Sequence, residues 1–578
     1  MNNSEIAQVF EEMADLLELR GENAFRVRAY RSGAKTIRDM TQPIADLAAD
    51  ESQDLKSLPG IGATLAEKCK VLLSTGKLPQ LEELRASTPA VLIQMTRIPG
   101  LGAKKAAVLL KELNLQSLDD LRIACEEHRV RGLPGFAAKS EQTILDGLAI
   151  AEAASQRMRI DQAERLIQRL KEHLESSPAI QQLEFAGSFR RGKETVGDID
   201  ILVTSQNPSA VMDQLGTFAG RMSVIGRGDT KMSIRVDEQF QVDLRVVPEE
   251  SFGAALQYFT GSKEHNIAIR SRARKMGLTV NEYGVAKLDQ PDCYVASRTE
   301  EEIYAALDLD WIPPELREGR NEITWAERSA IQQRPQLLQL QDIIADLHMH
   351  THATDGANSM HEMAAGARQR GRRYIAITDH SKRVSMARGL DEVRLLAQWE
   401  QVDQFNAEQT DGFRILKGIE CDILEAGPLD IANEVLAQAD WVVASVHYGQ
   451  KQSREQITKR IVGALENPHV DVIAHPTGRL LGSRPPYEVD IQAVFDAAVA
   501  NGKGLELNAS PARLDLCEQH LMQAAAMGIP ITINSDAHSI EGMDVMRYGV
   551  VQARRAGLVR SQVINTWALE DLLQWLKH

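Results

Sequence analysis

The chain has 578 residues, room for about four domains of ordinary size, and its 43% apolar and 25% charged residues are typical of a soluble globular protein. That balance excludes a disordered or fibrous chain, and no apolar run reaches the roughly eighteen residues a membrane span requires. A formal net charge of −15 argues against a protein that coats nucleic acid nonspecifically.

The opening MNNSEIAQVFEEMADLLELR reads as an acidic amphipathic helix and not a secretory signal, so a cytoplasmic protein with no membrane partner is expected. Residues 1–150 continue as nearly all helix, broken by three similar turns: Leu58-Pro59-Gly60-Ile61-Gly62, Ile98-Pro99-Gly100-Leu101-Gly102 and Leu133-Pro134-Gly135-Phe136-Ala137. Each opens a helix carrying lysine: Lys68, Lys104 with Lys105, and Lys139. From about residue 180 the pattern alternates, and QQLEFAGSF, DIDILV, MSVIG, KMSIRVD and QFQVDLRVV read as strands of an antiparallel or mixed sheet. Residues 262–310 return to helix with one extended stretch, LTVNEYGV, and the polar segment from Pro313 to Pro335 reads as a linker. Beyond it YIAITDH, RILKGIECDIL, DWVVASVHY, VDVIAHP, GLELNAS and IPITINSDAH alternate with amphipathic helices, as in a parallel α/β barrel or sheet.

Charge and histidine are unevenly spread. Residues 1–300 hold 42 acids against 39 bases, residues 341–578 hold 31 against 23, and eleven of the fourteen histidines lie at or beyond His348. An acidic, histidine-loaded carboxyl-terminal block predicts a carboxylate and imidazole metal site. Cys69, Cys125, Cys293, Cys421 and Cys517 form no CxxC pair, so neither a disulfide frame nor a cysteine zinc site is expected.

A Gly-x-Gly between helices lets bare backbone approach a phosphate while the second helix presents free N–H groups. One such turn is an ordinary tight connection. Three in one helical region, each followed by lysine, point to a grip on the DNA sugar–phosphate backbone by Gly60, Gly62, Gly100, Gly102 and Lys104. The third copy, with Ala137 for the last glycine, is read as structural. Asp198 and Asp200 stand at i and i+2 of a strand, so both carboxylates share one face, and Asp243 lies opposite the apolar face of FQVDLRVV. Three acids converging there would hold two Mg²⁺ or Mn²⁺ ions; a bare DxD would be a solvated strand face. The loop Gly187-Ser188-Phe189-Arg190-Arg191-Gly192 adds amides, a hydroxyl and guanidinium groups suited to a polyphosphate.

GSFRRGKETVGDIDILV, with AALQYFTGSKEHN downstream, resembles the palm and nucleotide-binding signatures of the family X DNA polymerases, relatives of DNA polymerase beta. The resemblance implies Asp198, Asp200 and Asp243 as metal ligands, and Ser188, Arg191 and Gly197 as contacts to an incoming deoxynucleoside triphosphate. Tyr258, Phe259, Gly261 and Asn266 would line its sugar and base. The amino-terminal block resembles the family's small lyase domain: Lys68 aligns with the Schiff-base lysine, and Arg26, Arg28 and Tyr30 with a 5′-phosphate pocket. A solvated helix lysine is the other reading of Lys68, whose chemistry needs a depressed pKa beside a phosphate pocket.

In the last block His348, His350, Asp355, His380, Glu420, His447, His475, Asp536 and His538 stand at or just beyond strand ends. In a barrel those ends converge on one mouth, and nine such donors suit two or three Mn²⁺, Zn²⁺ or Fe²⁺ ions. The arrangement is similar to the PHP (polymerase and histidinol phosphatase) domain. That implies a 3′–5′ exonuclease with related AP-endonuclease or 3′-phosphatase activity, and Arg479 in HPTGR as a phosphate contact.

The expected architecture is multidomain, α+β and α/β. It comprises a helical lyase-like domain (1–85), fingers with helix–hairpin–helix motifs (86–150), a nucleotidyltransferase palm (151–250), a thumb (251–315), a linker (316–340) and a distorted (β/α)7 PHP barrel (341–578). The expected function is short-gap filling in DNA repair on gapped or primer–template DNA by a monomer, with exonuclease and possible 5′-dRP lyase activity. A metallophosphatase with a degenerate polymerase half and a nonenzymatic DNA-end scaffold are the rivals.

Overall fold

The computed structural model describes residues 3–19, 22–39, 44–49, 54–58, 60–75, 77–87, 90–95, 98, 101, 103–154, 157–236, 240–327 and 336–577. It divides into two compact units, Met1–Arg157 and Met158–His578.

The first unit is helical. Ile6, Phe10, Met13 and Leu17 recur at helical spacing and are buried, so the opening helix Asn3–Leu19 lays one apolar stripe on the core shared with helix Ala24–Asp39. Gly60, at φ +77°, turns the chain into helix Ala63–Thr75; a Cβ there would stand 2.4 Å from Ser32 Oγ. Gly135, at φ +84°, does the same before helix Ala138–Ala154. Gly100, Gly102 and the Lys104 side chain lie outside the described residues.

The second unit begins with a five-stranded mixed sheet in the spatial order Gln182–Phe185, Asp198–Thr204, Phe240–Val247, Lys231–Val236, Arg221–Arg227. Asp198–Thr204 and Phe240–Val247 run parallel, and the other neighbours are antiparallel. The strict alternation in FQVDLRVV is realised, with Phe240, Val242, Leu244 and Val246 buried against helix Ile160–Glu175. A second, antiparallel sheet follows: Leu278–Asn281, Gly284–Lys287 and Gln290–Ala296. Its third strand escapes a hydropathy reading because QPDCYVA opens on polar residues and proline.

The expected linker is corrected in its first half. Residues 314–327 are folded, because their polar groups find partners inside: Arg317 is fully buried, donates to Ile312 O and pairs with Glu300, while Glu322 reaches His265. Ile312 and Ala326 join the apolar core of this region. Residues 328–335 lie outside the described residues.

Seven parallel strands then follow in sequential spatial order: Ala345–Asp346, Tyr374–Ile377, Arg414–Asp422, Trp441–Ser445, Val472–Ile473, Gly504–Asn508 and Ile531–Asn534. Residues of Tyr374–Ile377 and Trp441–Ser445 are buried on both faces, as in a barrel with a filled interior and an outer layer of helices. Met349 bridges in parallel to Ala537, His350 N donates to Ala537 O at 2.9 Å and Asp536 N to His348 O at 3.0 Å. These contacts bring the last strand back to the first, so the sheet is a nearly closed (β/α)7 barrel. Among the described residues, no helix is long and apolar enough to cross a membrane.

Candidate active sites

On the mixed sheet, Asp200 and Asp243 are register partners on adjacent parallel strands, and Asp198 shares their face two residues earlier. Ile199 and Ile201 point into the core behind them. Burial, then the neighbouring Asp198 and Asp243, push the Asp200 carboxyl up to about 7, as expected where acids crowd to receive a multivalent cation. Asp243 accepts from Gln241 Nε2 at 3.1 Å, and its other oxygen lies 3.4 Å from Lys231 Nζ.

The loop preceding these acids rests directly on them. The strand expected to run through Phe189 turns at Ala186 instead, and Gly187–Arg190 forms one helical turn. Gly187, at φ +62°, makes this possible: a Cβ there would stand 2.2 Å from Asp200 Oδ2. Ser188 Oγ is buried with no hydrogen-bond partner, the state of a donor awaiting an anion. Arg191 donates to Thr260 O and, at 3.1 Å, to Glu318, and a Cβ on Gly261 would come within 3.3 Å of its guanidinium. Thus Arg191 and Gly261 meet, and Gly187, next to Ser188, rests on Asp200. Gly197 is exposed next to Asp198. Tyr258 and Phe259 meet edge to face at 5.1 Å, and Asn266 Nδ2 donates to Tyr258 O at 2.7 Å.

The nine histidines and acids of the barrel do converge. Ligating atoms of His350, Asp355, His380 and His538, of His348, His350 and Asp536, and of His380, Glu420 and His447 lie within 4.8 Å of one another in each group. His475 Nε2 joins at 3.2 Å from Glu420. Glu420 is the hub: its Oε2 is 2.7 Å from His380 Nδ1 and its Oε1 is 3.3 Å from His447 Nε2.

His348 Nε2 and His350 Nδ1 are buried without a hydrogen-bond partner, and His380 Nδ1 and Glu420 Oε2, 2.7 Å apart, have no other. Buried imidazole nitrogens and a carboxylate oxygen under-satisfied in one place fit a site for divalent metal. Burial opposes charge on His380 and His447, yet Glu420 outweighs it and pushes them up to about 10 and about 9. Burial and the adjacent His380 push His350 down to about 4. The negative field that holds those protons is one that dications would take over.

Sequence reasoning missed the groups behind the ligands. His348 Nδ1 lies 2.7 Å from Glu506 and His447 Nδ1 lies 3.1 Å from Asp422, partners that fix ring orientation. Their signal was parity: in GLELNAS, Leu505 and Leu507 join the core with helix residues such as Val494, so Glu506 between them faces the barrel axis. Arg479 is a correction. Instead of lying open for phosphate it is buried, donating to Leu514 O and to Glu194 at 2.7 Å, where the mixed sheet meets the barrel.

In the first unit, half-buried Lys68 donates to Gln80 and lies 5.7 Å from the centre of the Tyr30 ring, whose hydroxyl is buried without a partner. Arg26 pairs instead with Glu22 at 3.3 Å, and Arg28 stacks on Phe25.

Family models match along the chain: a helix–hairpin–helix domain at residues 1–78, a SAM-like helix–hairpin–helix tandem at 92–149, the DNA polymerase beta palm at 157–227, the DNA polymerase beta thumb at 255–318 and the PHP domain at 346–510. The DNA polymerase/3′-5′ exonuclease PolX of Bacillus subtilis (strain 168) is 41% identical over 579 residues, covering all of both chains. A probable phosphatase of Thermoanaerobacter sp. (strain X514) is 32% identical over 240 residues, 39% of this chain and 91% of its own length. Another, from Syntrophotalea carbinolica, is 30% identical over 242 residues, 40% of this chain and 95% of its own. With both metal-ready faces carried on a palm and a PHP barrel in one polypeptide, the chain belongs to the PolX family of family X DNA polymerases with a carboxyl-terminal PHP domain.

Proposed function

We propose that this protein is a DNA-directed DNA polymerase that fills short gaps during repair and removes 3′-terminal nucleotides at a second, separate site. The observation that carries this reading is the coexistence of two sites: Asp200 and Asp243 side by side beneath the Gly187–Arg191 loop, and nine convergent donors at the barrel mouth.

At the palm, Ser188 Oγ, the loop amides and Arg191 bind the triphosphate, while Tyr258, Phe259, Gly261 and Asn266 flank its sugar and base. Asp198, Asp200 and Asp243 hold Mg²⁺ or Mn²⁺, and His348, His350, Asp355, His380, Glu420, His447, His475, Asp536 and His538 hold two or three Mn²⁺ or Zn²⁺; bound cations supply charge neutralisation and an acidified hydroxyl or water. Asp243, partly exposed on the central strand and 3.4 Å from Lys231 Nζ, assists loss of the primer 3′-hydroxyl proton as the hydroxyl attacks the α-phosphate and pyrophosphate leaves. The helix–hairpin–helix turns hold the duplex through phosphates, which makes binding salt-sensitive. Lys68 beside Tyr30 is the candidate for 5′-dRP lyase chemistry. The protein acts as a cytoplasmic monomer.

A gapped, 5′-phosphorylated duplex tests the reading. Asp198→Ala should abolish extension and leave 3′ degradation, and His348→Ala should do the reverse. No incorporation by the unaltered chain with Mg²⁺ or Mn²⁺ would leave a PHP metallophosphatase as the better account, in line with the shorter relatives, which are named probable phosphatases.

A further inference from the structure

The loop that would receive the triphosphate is not finished by the palm alone. Helix Met546–Arg555 of the barrel lies against it. Gly192, at φ +65°, faces this helix so closely that a Cβ would stand 2.2 Å from Val551 Cγ1 and 3.8 Å from Arg555 Cδ. Phe189, from the middle of the loop, packs into an apolar cluster with Leu514, Tyr548 and Leu481 of the barrel. Both sides of the loop are therefore clasped by the other domain.

Arg555 is buried and has its whole fork engaged. Nη1 donates to Arg191 O at 2.5 Å and to Glu318 at 3.2 Å, and Nη2 reaches Glu518 at 2.5 Å. Glu318 is the shared acceptor. It takes Arg191 Nε at 3.1 Å and stands 3.3 Å from Lys193 Nζ. Glu518 in turn is held by Arg320 at 2.5 Å. One guanidinium thus fixes the Arg191 carbonyl directly and its side chain through Glu318.

We infer that Arg555 is a positioning residue for the incoming nucleotide: the PHP barrel holds the triphosphate loop of the palm in its binding geometry. This rests on the polymerase reading of the palm. A planar fork bonded to two carboxylates and a carbonyl is replaced only in part by a lysine, whose compact ammonium lacks the fork's geometry. Because Arg555 touches neither the carboxylate face nor the barrel's metal ligands, its loss should act on nucleotide binding and spare both chemistries. Arg547 also pairs across this boundary, with Glu164 of helix Ile160–Glu175, outside the Gly187–Lys193 loop.

The test is single-nucleotide incorporation by the full-length chain on a gapped duplex, with 3′ degradation measured on the same preparation to report folding of the barrel. Arg555→Ala should raise the KM for dNTP about tenfold, the scale of one lost charge-assisted hydrogen bond, with kcat changed by less than about twofold. Arg555→Lys should recover part of the loss, and Arg547→Ala should match the unaltered chain. An unchanged KM in Arg555→Ala with degradation intact overturns the inference. If Arg555→Ala fails to fold, Glu518→Gln decides: a KM raised about threefold supports the role, and an unchanged one removes it. Absence of incorporation by the unaltered chain would instead sink the polymerase reading itself.

Discussion

At the barrel mouth, ligand atoms of His348, His350 and Asp536 already lie within 4.8 Å of one another, and most of the donors are buried. On the palm, Asp198 is exposed, Asp243 is partly exposed, and each oxygen of Asp243 is occupied by a polar neighbour. The difference follows from topology. Parallel barrel strands aim every carboxyl-terminal end at one axis, so ligands from distant sequence meet without help. The palm places its acids on the open face of a mixed sheet, where the phosphates of a bound substrate would have to complete a ligand set. The expectation is that the preassembled site retains its metal through dialysis and that the open face does not.

The largest expected effect comes from removing the hub of the mouth. Glu420→Ala should lower 3′ degradation on the order of a thousandfold, reduce metal retained after dialysis, and leave nucleotide incorporation unchanged. Metal analysis of the dialysed unaltered chain should find the barrel ions retained and none in excess of them. Equal metal content in the Glu420→Ala protein would break the contrast between a closed and an open site.

A smaller effect concerns how the palm face is braced. Glu300 accepts from Arg190 at 2.8 Å, from Arg317 and from Trp311 Nε1. Burial works against its charge, but Arg317 and Arg190 prevail and hold it down at about 2. An unfolded glutamate titrates near 4.3, so the stability from this ionised group is complete above that pH and is lost as pH falls toward 2. Its size is on the order of 3 kcal/mol. Glu300→Gln should lower the thermal midpoint of the full-length chain at pH 7 and flatten its decline between about pH 4.3 and 2. An acid limb as steep as in the unaltered chain would place the brace elsewhere.

The same contrast explains what could be read in advance. Strand-end histidines and the FQVDLRVV alternation were legible because periodicity and burial coincide in them, and the barrel followed from strand–helix alternation. Asp198, Asp200 and Asp243 were legible as a face, since strand parity needs no tertiary knowledge. Arg317, Arg479 and Arg555 were not. Each is a charged residue in a polar stretch, indistinguishable from a solvated one until a carboxylate more than ten residues away, Glu300, Glu194 or Glu318, buries it. Buried ionic networks have no local signature, so the folded first half of the expected linker and the clasp on the Gly187–Lys193 loop emerged only in three dimensions.

The smallest expected effect tests whether the open face is held in reserve. Lys231 is 41% exposed and 3.4 Å from Asp243, so the pair contributes at most about 1 kcal/mol. If Asp243 receives a cation, the ammonium competes for the same oxygen and would have to move aside. Lys231→Ala should therefore lower the Mg²⁺ concentration giving half-maximal incorporation by up to about fivefold, with degradation at the barrel unaffected. If Lys231→Ala raises the Mg²⁺ requirement instead, the lysine serves the triphosphate and not Asp243, and the palm face is less idle between turnovers than its geometry indicates.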